Sequence, residues 1–350
     1  MPHAVRVGIV GLGHGVKVHG DRLLQPSPEF DIIGVCATSA ERVQGAAERY
    51  GARGYTDYGE MLENEDIELV VVATPGAYHA DMAVAAMRKG KHVVVEKPMA
   101  TTLADADRMI ETAAEQHVWL SVFHQRRYDG GFLTVRKALE QGLLGTPFLI
   151  ETRAMKYGPV GGASVSRPTW RQEASTGGGR LNEWGPHLID WVLALVKSEP
   201  EEVFCDLQSR MWKKDADDHF TCFIRFRDRT IAQVQASQDA RLPMPKWYIL
   251  GDKGCLLGEG TIESEPGYWE RFTVRTEKHG RDETFDLDLE KGRWERYYEG
   301  LYRALTQDVE PDITLAQSRR VMEIIEAARQ SAATGTTVRL RQTRDPKGKG

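Results

Sequence analysis

The sequence predicts a two-part α/β protein: a doubly wound parallel sheet in residues 1–124, then an α+β domain with a large, mostly antiparallel open sheet in residues 125–340. Before residue 124, β-branched apolar runs alternate with helical patterns, as expected of parallel strands joined by crossover helices. After it, the apolar runs are short and separated by turns, which is typical of antiparallel strands. The 350 residues suffice for two cores, because a domain usually takes roughly 100–200 residues.

Apolar runs that suit burial on both faces predict the strands of the first sheet, and helical patterns lie between them. The predicted strands are Val5–Val10, Phe30–Ala37, Leu69–Ala73, His92–Glu96 and Trp119–Phe123, and the helices are Ala40–Tyr50, Tyr78–Lys89 and Leu103–Gln116. Because crossovers between parallel strands are right-handed, the loops after these strands collect in one crevice. We expect ligand-binding residues in those loops.

The second part is predicted to combine short strands with a few helices. The strands are Val203–Arg210, Phe220–Phe226, Thr230–Ser237, Trp247–Leu250, Phe272–Thr276 and Val338–Leu340, and the helices are Phe132–Gln141, Gly185–Val196, Arg293–Gln307 and Leu315–Thr334. Asp228-Arg229 and Asp252-Lys253-Gly254 have the composition of hairpin turns. The basic tail 341–350, rich in Gly and Lys, is expected to be disordered.

Composition excludes several classes of protein. The 46 basic and 51 acidic residues give a formal charge of −5, which provides no general basic field for nucleic acid. The four cysteines are widely scattered, which indicates reduced thiols rather than disulfides or a metal site. The chain shows no signal-peptide pattern and no apolar run of ~18 residues. We therefore expect a cytoplasmic protein that binds a small molecule, and no nucleic acid, membrane or metal ion.

A glycine-rich turn follows the first predicted strand at Gly11-Leu12-Gly13-His14. Gly11 and Gly13 permit the tight turn and the close backbone approach that a pyrophosphate needs at a helix N-terminus. The third glycine of a GxGxxG motif falls on Val16, with Gly15 one place early. The position between a strand and a helix favours a dinucleotide-binding Rossmann domain over an ordinary glycine turn.

The end of the second predicted strand bears on the choice between NADP and NAD. An NAD-type site places an acid there to accept a hydrogen bond from the ribose 2′-hydroxyl, but position 37 is Ala. Thr38, Ser39 and Arg42 offer hydroxyls and a guanidinium instead, which suit a 2′-phosphate. NADP is therefore the preferred cofactor and NAD the second choice. Ser39 can also cap the next helix.

Lys97 stands at the carboxyl end of the buried run Val93–Val95, between Glu96 and Pro98. Proline disfavours helical geometry for the residue before it, so the chain is extended where the charges occur. In an open α/β sheet this position faces the ligand crevice, where a lysine can donate to a substrate oxygen. The alternative is a lysine that only ends a strand.

A second polar constellation follows three consecutive glycines, Gly177 to Gly179. Glu183 and His187 are four residues apart, so they share one face if the helix is already wound there. A carboxylate beside an imidazole raises the basicity of the ring, as a general base requires. A capping acid next to a structural histidine is the alternative. No third ligand nearby supports a metal site.

Together these motifs resemble the Gfo/Idh/MocA oxidoreductases, a family that includes glucose–fructose oxidoreductase and inositol 2-dehydrogenase. The similarity covers about residues 5–340 and includes GLGHG, Glu96-Lys97-Pro98 and GGGRLNEWGPHLID at residues 177–190, the last two a highly specific combination. The resemblance implies an N-terminal domain that binds NAD(P). It also implies a C-terminal sheet that covers the active site and forms the interface of a homodimer or homotetramer.

The resemblance also implies roles for individual residues. Lys97 matches the lysine that contacts the reacting hydroxyl, His187 matches the proton acceptor, and Glu183 stands where the family usually has Asp. Cofactor contacts are expected at Gly11, Leu12, Gly13, His14, Thr38, Ser39, Arg42, Thr74, Pro75, His79, Glu96, Lys97, Gln125, Trp170 and Arg171. Substrate contacts are expected at Lys97, Arg126, Arg127, Tyr128, Tyr157, Glu183 and His187.

The implied activity is that of an NAD(P)-dependent dehydrogenase or reductase acting on a secondary alcohol or ketone of a sugar, inositol or related polyol. His187, oriented by Glu183, takes the hydroxyl proton as hydride leaves the carbon, and Lys97 stabilises the developing charge. Two alternatives remain open. One is a related glycosidase or epimerase that recycles its cofactor without net oxidation, and the other is a non-catalytic, nucleotide-sensing regulator.

Overall fold

The computed structural model describes residues 4–158, 169–212, 215–242, 244–261 and 268–341. Contacts divide the chain into two compact units. The first comprises Met1–Tyr128, Glu173–Gly178 and Arg293–Met322, and the second comprises Asp129–Gln172, Gly179–Gly292 and Glu323–Gly350. Apart from Arg341, the tail that we expect to be disordered lies outside the described residues. The division of the chain at residue 124 stays a prediction.

The first unit contains a parallel sheet with the strand order β3-β2-β1-β4-β5-β6. Its strands are β1 Val5–Val10, β2 Phe30–Cys36, β3 Arg53–Tyr55, β4 Leu69–Val72, β5 His92–Val95 and β6 Leu120–Val122. The order reverses between β1 and β4, and the crevice at such a reversal is where open α/β sheets bind ligands. The predicted doubly wound sheet is confirmed, with the short strand β3 as an addition.

Local capping sets the ends of the helices in this unit. They are α1 His14–Val16, which continues as a π-helix over Lys17–Leu24, α2 Ala40–Tyr50, α3 Tyr58–Leu62, α4 His79–Arg88 and α5 Leu103–Glu115. The side chains of Ser39, Asp57 and Thr102 each accept a hydrogen bond from the backbone N–H three residues later. Gly51 ends α2 with a positive φ of 67°, a conformation that glycine adopts without strain.

The core of the first unit also includes a late helix, α9 Glu295–Gln307. Tyr298 packs edge-on against Phe30 with ring centroids 5.3 Å apart, and Tyr297 packs against Phe123 at 4.8 Å. The aromatic face of α9 belongs to the core of the parallel sheet, and Arg293–Met322 falls in the first unit.

The second unit contains a nine-stranded sheet with the order β14-β13-β12-β11-β7-β10-β9-β8-β15. The strands are β7 Pro147–Met155, β8 Pro200–Gln208, β9 His219–Phe226, β10 Ile231–Ser237, β11 Trp247–Gly251, β12 Gly254–Gly260, β13 Glu270–Lys278, β14 Arg281–Leu287 and β15 Val338–Arg339. Neighbouring strands are antiparallel except β7 and β10. The predicted mostly antiparallel α+β domain is confirmed.

Both predicted hairpin turns are present in this sheet. Asp228-Arg229 lies between the antiparallel strands β9 and β10, and Asp252-Lys253 lies between β11 and β12. Strands β7, β12 and β14 are additions to the prediction. The described residues also form the α-helices α6 Gly130–Glu140, α7 Arg180–Glu183, α8 Gly185–Leu195 and α10 Leu315–Thr334. Within the described residues, no helix is long and apolar enough to cross a membrane.

Candidate active site

The turn after β1 contains two glycines, one closely surrounded by backbone atoms and the other open. Gly11 has a φ of 98°, and a Cβ added there would lie 2.5 Å from the carbonyl atoms of Ala73. A Cβ on Gly13 would meet no atom within 4 Å, so the backbone there is open to an approaching group. Since α1 begins directly afterwards at His14, the open space lies at a helix N-terminus, where a phosphate is favoured. These residues fit a dinucleotide pyrophosphate.

Gly15 performs the packing role that the motif assigns to the third glycine. A Cβ on Gly15 would lie 2.8 Å from the Cβ of Ala73, which is closer than real side chains pack. Val16, which occupies the motif position itself, packs instead against the hydrophobic core of the unit. The one-place shift therefore preserves the close contact between the first helix and the loop after β4.

The polar side chains on which the predicted preference for NADP depends lie at the carboxyl end of β2. The Ser39 hydroxyl accepts a hydrogen bond from the backbone N–H of Arg42 at 3.4 Å, so its capping role is confirmed. The side chains of Thr38 and Arg42 are exposed. These residues are therefore accessible at the strand end where a dinucleotide places its adenosine ribose.

His79 holds the loops after β4 and β5 together. Its ring is only 1% exposed, with Nδ1 2.8 Å from the carbonyl oxygen of Pro98 and Nε2 2.8 Å from that of Thr74. Burial lowers the pKa of His79, against the opposing effect of the two carbonyls. Because both ring nitrogens face backbone oxygens, this geometry gives His79 a structural task beside the expected cofactor contact. The buried Thr74 hydroxyl, by contrast, has no hydrogen-bond partner among the described residues.

Glu96 and Lys97 form a constrained turn at the end of β5. The Glu96 Oε1 atom lies 3.1 Å from His19 Nε2, and Oε2 accepts from the backbone N–H of Lys97 at 3.2 Å. Burial alone would raise the pKa of Glu96, but the hydrogen bond from His19 and the nearby positive charges outweigh it and lower the pKa to about 2. Glu96 is therefore a carboxylate at neutral pH. The Lys97–Pro98 peptide bond is cis.

Sequence reasoning missed the histidine and tyrosines behind this turn. His19 is fully buried, its Nδ1 lies 2.7 Å from the Tyr298 hydroxyl, and its ring centroid lies 4.1 Å from that of Phe123. The Tyr297 hydroxyl lies 2.6 Å from that of Ser121 on β6. No short motif contains these residues, because Ser121 and Tyr297 are 176 positions apart in the chain and His19 and Tyr298 are 279 apart.

The polar cluster after β6 forms a short 3₁₀ helix, Gln125–Tyr128. Gln125 is buried, and its Oε1 has no hydrogen-bond partner within the described part of the chain. The Arg126 guanidinium lies 5.4 Å from the ring centre of Trp294. Arg127 donates to Gln317 Oε1 at 2.8 Å, and the Tyr128 hydroxyl donates to Asp312 at 3.1 Å. Gln125 thus has a free acceptor for a ligand, whereas Arg127 and Tyr128 have partners near the start of α10.

In the second unit, the last residue of the glycine triplet leads directly into α7. Gly179 has a φ of 101°, and a Cβ there would lie 2.2 Å from Asp217 Oδ1. Asp217 Oδ2 accepts from the backbone N–H of Leu181 at 2.8 Å, at the start of the helix. Burial raises the pKa of Asp217 to about 6, although the Leu181 hydrogen bond and the Arg180 charge oppose the rise. Asp217 is a further residue that sequence reasoning missed.

His187 lies in the first turn of α8 and is 4% exposed. Its ring packs edge-on against Trp184, with centroids 5.6 Å apart. Glu183 ends α7, and its carboxylate accepts from Arg180 Nη1 at 2.7 Å and lies 3.9 Å from Arg171 Nε. The charge of Glu183 is therefore shared with two guanidinium groups. Its role in orienting His187 stays a prediction.

The remaining predicted residues of the second unit form cation–π pairs. The Arg171 guanidinium lies 4.3 Å from the ring centre of Trp170, and that of Arg241 lies 4.0 Å from the ring centre of Tyr157. Trp212 packs beside Tyr157 at 6.1 Å. Tyr157 is partly exposed and keeps a face for contact with a ligand. The contacts assigned to Trp170, Arg171 and Tyr157 remain predictions.

Among the described residues, no group of three or more His, Cys, Asp or Glu side chains is arranged to hold a metal ion. All four cysteines are free thiols, three of them buried. The described polar groups at the edge of the parallel sheet include backbone amides, the Thr74 hydroxyl, Gln125, Glu96 and Lys97. This donor set suits a dinucleotide phosphate and a nicotinamide amide.

Comparison with known proteins agrees with this geometry. Residues 5–124 match the model of the oxidoreductase family with an NAD-binding Rossmann fold, and residues 132–257 match the GFO/IDH/MocA C-terminal domain. The chain belongs to the Gfo/Idh/MocA oxidoreductase family. As a member of this family it is an NAD(P)-dependent oxidoreductase, which confirms the activity class predicted from the sequence.

Individual members of the family are similar over nearly their whole length. The chain is 25% identical to scyllo-inositol 2-dehydrogenase (NADP(+)) IolW of Bacillus subtilis, covering 96% of each protein. The solved structure of the putative oxidoreductase yvaA of Bacillus subtilis matches with a TM-score of 0.85 at 25% identity, over 97% of this chain and 99% of that one. The WlbA dehydrogenase of Bordetella pertussis, solved with NADH and UDP-GlcNAcA, matches with a TM-score of 0.83 at 26% identity, over 97% and 99%.

Proposed function

We propose that this oxidoreductase transfers hydride between NADP and a secondary alcohol or ketone of a sugar, inositol or related polyol. The observation that carries the proposal is the order of strands in the first unit. The glycine turn follows β1, Thr74 follows β4, and Lys97 follows β5, on three adjacent strands. Since neighbouring strands lie ~4.8 Å apart, Lys97 stands about 10 Å along the crevice from the pyrophosphate turn. A nicotinamide bound through that turn extends toward the lysine.

Within this scheme the residues of the chain have distinct tasks. The backbone of Gly13 and His14 binds the pyrophosphate, and the buried acceptor of Gln125 and the hydroxyl of Thr74 orient the nicotinamide end. When bound, NADPH would supply the hydride for reduction and NADP would receive it in oxidation. Lys97 donates a hydrogen bond to the substrate oxygen, and His187 accepts or returns the hydroxyl proton as a general base or acid.

The preference for NADP rests on the exposed hydroxyl of Thr38 and the guanidinium of Arg42, together with Ala37 in place of an acid. A 2′-phosphate carries negative charge and accepts several hydrogen bonds, so it pairs well with an arginine. The relative IolW, a scyllo-inositol 2-dehydrogenase (NADP(+)), supports this preference. WlbA was solved with NADH, so NAD remains the second candidate.

The test is nicotinamide absorbance at 340 nm with NADP and then NAD, against inositols, aldoses, anhydrosugars and sugar acids. Wild type and Lys97→Ala are run side by side, with nucleotide binding measured separately for both. We expect a substrate-dependent signal that falls by roughly 10²–10⁴-fold in the variant while the nucleotide Kd holds. A bound nucleotide with substrate conversion but no absorbance change would indicate a cofactor-recycling enzyme. Binding with no conversion by chromatography would indicate a sensor.

A further inference from the structure

A buried chain of hydrogen bonds through His19 and Tyr298 connects the Glu96–Lys97 turn with α9. The proposed reaction gives neither His19 nor Tyr298 a role. His19 is fully buried, its Nε2 lies 3.1 Å from Glu96 Oε1, and its Nδ1 lies 2.7 Å from the Tyr298 hydroxyl. Tyr298 is itself only 2% exposed. All members of the chain belong to the first unit. Such a network is costly unless every donor and acceptor in it is satisfied.

The charge of Glu96 fixes the direction of its hydrogen bond with His19. Glu96 is ionised at neutral pH because its pKa is about 2, so its oxygens only accept. The hydrogen facing Glu96 must therefore be on His19 Nε2. Burial raises the pKa of Tyr298 well above its usual value, so its hydroxyl stays protonated beside His19 Nδ1. Tyr298, His19 and Glu96 thus form a relay of hydrogen-bonded side chains.

An unusual helix brings His19 to this position. His19 lies in the π-helical segment Lys17–Leu24, in which Gln25 N–H donates to the carbonyl of Gly20 at 2.9 Å, five residues earlier. The segment also fits tightly against α2, since a Cβ on Gly20 would lie 2.5 Å from the Tyr50 hydroxyl. Isolated π-helical turns are rare and frequently occur at functional sites. The widened turn directs the His19 ring inward, where it reaches Glu96.

We propose that His19, supported by Tyr298, is a positioning residue that fixes the turn from which Lys97 projects toward the substrate; this role rests on the proposed function. Glu96 is bound at both oxygens, by His19 through Oε1 and by the backbone N–H of Lys97 through Oε2. His19 thus holds the carboxylate that holds the Lys97 backbone. Misplacing a reacting group by about 1 Å can cost 10²-fold in rate, so a loosened turn lowers kcat.

Two amide substitutions separate the positioning role from a general loss of packing. In His19→Gln, the amide nitrogen falls near the place of Nε2 and keeps a donor to Glu96. In His19→Asn, the shorter side chain falls near the place of Nδ1 and keeps only the Tyr298 contact. Tyr298→Phe removes the far end of the relay, and Tyr302→Phe, one helical turn later in α9, is the control for losing a tyrosine hydroxyl.

Hydrogen–deuterium exchange of the backbone amides of Glu96, Lys97 and Met99 measures how firmly His19 holds the Glu96–Lys97 turn. This measurement does not require enzymatic activity. We expect exchange about tenfold faster in His19→Asn, and close to wild type in His19→Gln and Tyr302→Phe. On the substrate found in the absorbance panel, kcat should fall up to about 100-fold in His19→Asn and a few-fold in Tyr298→Phe, with the nucleotide Kd unchanged. His19→Gln should restore most of the rate.

Amide exchange and kcat together distinguish the possible roles of His19. Equal exchange rates in wild type and His19→Asn would show that His19 does not hold the Glu96–Lys97 turn. Faster exchange in His19→Asn with unchanged kcat would show that holding this turn does not position Lys97 for the reaction. Equal losses of kcat in His19→Gln and His19→Asn would show that packing, not the Nε2 donor, is what matters. If wild type bound nucleotide but turned over no substrate, while amide exchange was still faster in His19→Asn, the role of His19 in holding the turn would be supported and the proposed function would fail.

Discussion

Gly11 in the turn after β1 has a backbone conformation and close surroundings that exclude a side chain. Gly11→Ala places a methyl group on a residue with a φ of 98° and 2.5 Å from the Ala73 carbonyl. We expect it to reduce the free energy of unfolding by about 1–3 kcal/mol and to weaken nucleotide binding. Urea unfolding and fluorescence titration with NADPH measure the two effects.

Gly45→Ala is the matched control for this substitution. Gly45 lies inside α2, and a Cβ there would meet no atom within 4 Å. Alanine is a better helix former than glycine, so we expect stability to rise by about 0.5–1 kcal/mol with unchanged nucleotide affinity. A Gly11→Ala protein as stable and as tightly binding as wild type would contradict the described turn.

Arg42 decides the cofactor preference if the 2′-phosphate binds at the end of β2. Removing its guanidinium in Arg42→Ala should weaken NADP binding by about 10- to 150-fold, because a hydrogen bond to a charged group is worth ~1.5–3 kcal/mol. NAD carries no 2′-phosphate, so its Kd should change little. Isothermal titration with both nucleotides tests this, and equal losses for NADP and NAD would place the 2′-phosphate elsewhere.

At the residue scale, the sequence was informative wherever a short motif defines the position. The glycine turn, Glu96-Lys97-Pro98 and the stretch ending in His187 each occupy adjacent positions in the chain, so their residue types could be interpreted together. His19, Tyr298 and Asp217 were not predictable, because their partners are distant in sequence and depend on tertiary packing. Ser39 suits both a helix cap and a contact with a 2′-phosphate; the structure confirms the cap, and the phosphate contact stays a prediction.

At the scale of elements, the start of α7 depends on one partly buried acid, Asp217. Asp217 accepts from Leu181 N–H, and its pKa is raised from 3.8 to about 6, chiefly by burial. A carboxyl group with a raised pKa in the folded state contributes stability that is complete below the unfolded pKa and is lost as pH rises through the folded one. Asp217 should therefore reduce the free energy of unfolding between about pH 4 and pH 6.

The variant Asp217→Asn removes this titration while keeping a hydrogen-bond acceptor. The difference in unfolding free energy between wild type and variant should shift against wild type by about 3 kcal/mol at most from pH 4 to pH 7. Urea denaturation at several pH values gives the two curves, and other titrating groups cancel in the difference. Parallel curves would mean that the carboxyl group titrates normally.

Elements were predictable where pattern and capping agree. α2 and α10 have the predicted bounds, since an amphipathic pattern coincides with a capping residue or a sharp end. Strand β14 was missed because its sequence, RDETFDL, is polar and almost wholly exposed, so burial imposes no alternation. Strand β12 contains three glycines, which weaken any strand signal, and it forms only because β11 and β13 pair with it on both sides.

At the scale of the molecule, the nine-stranded sheet has an apolar patch on one face. Phe204 pairs with Phe223, and Ile231 pairs with Leu149, which pairs in turn with Leu250. Phe204, Phe223 and Ile231 are about 40% exposed, whereas residues on the opposite face, such as Val203 and Ile224, are fully buried. We propose that this face forms the interface of a homodimer or homotetramer, since exposed apolar patches mark such surfaces.

Phe223→Glu tests the interface by placing a charge at the centre of the patch. We expect a shift from oligomer to monomer in light scattering coupled to size exclusion, because the buried charge would lack a partner. Phe148→Glu is the control: Phe148 is also exposed, but by strand alternation it lies on the other face. A wild-type monomer, or dissociation in both variants alike, would contradict the proposal.

The most direct test of hydride transfer follows a label rather than absorbance. A polyol identified in the absorbance panel is deuterated at its reacting carbon and incubated with NADP and wild-type enzyme, and the released nucleotide is analysed by mass spectrometry. The proposed function predicts one deuterium in the free NADPH and a ketone product, with both nearly absent for Lys97→Ala. Substrate conversion without deuterium in the free nucleotide would contradict net transfer and identify an enzyme that returns the hydride to its own substrate.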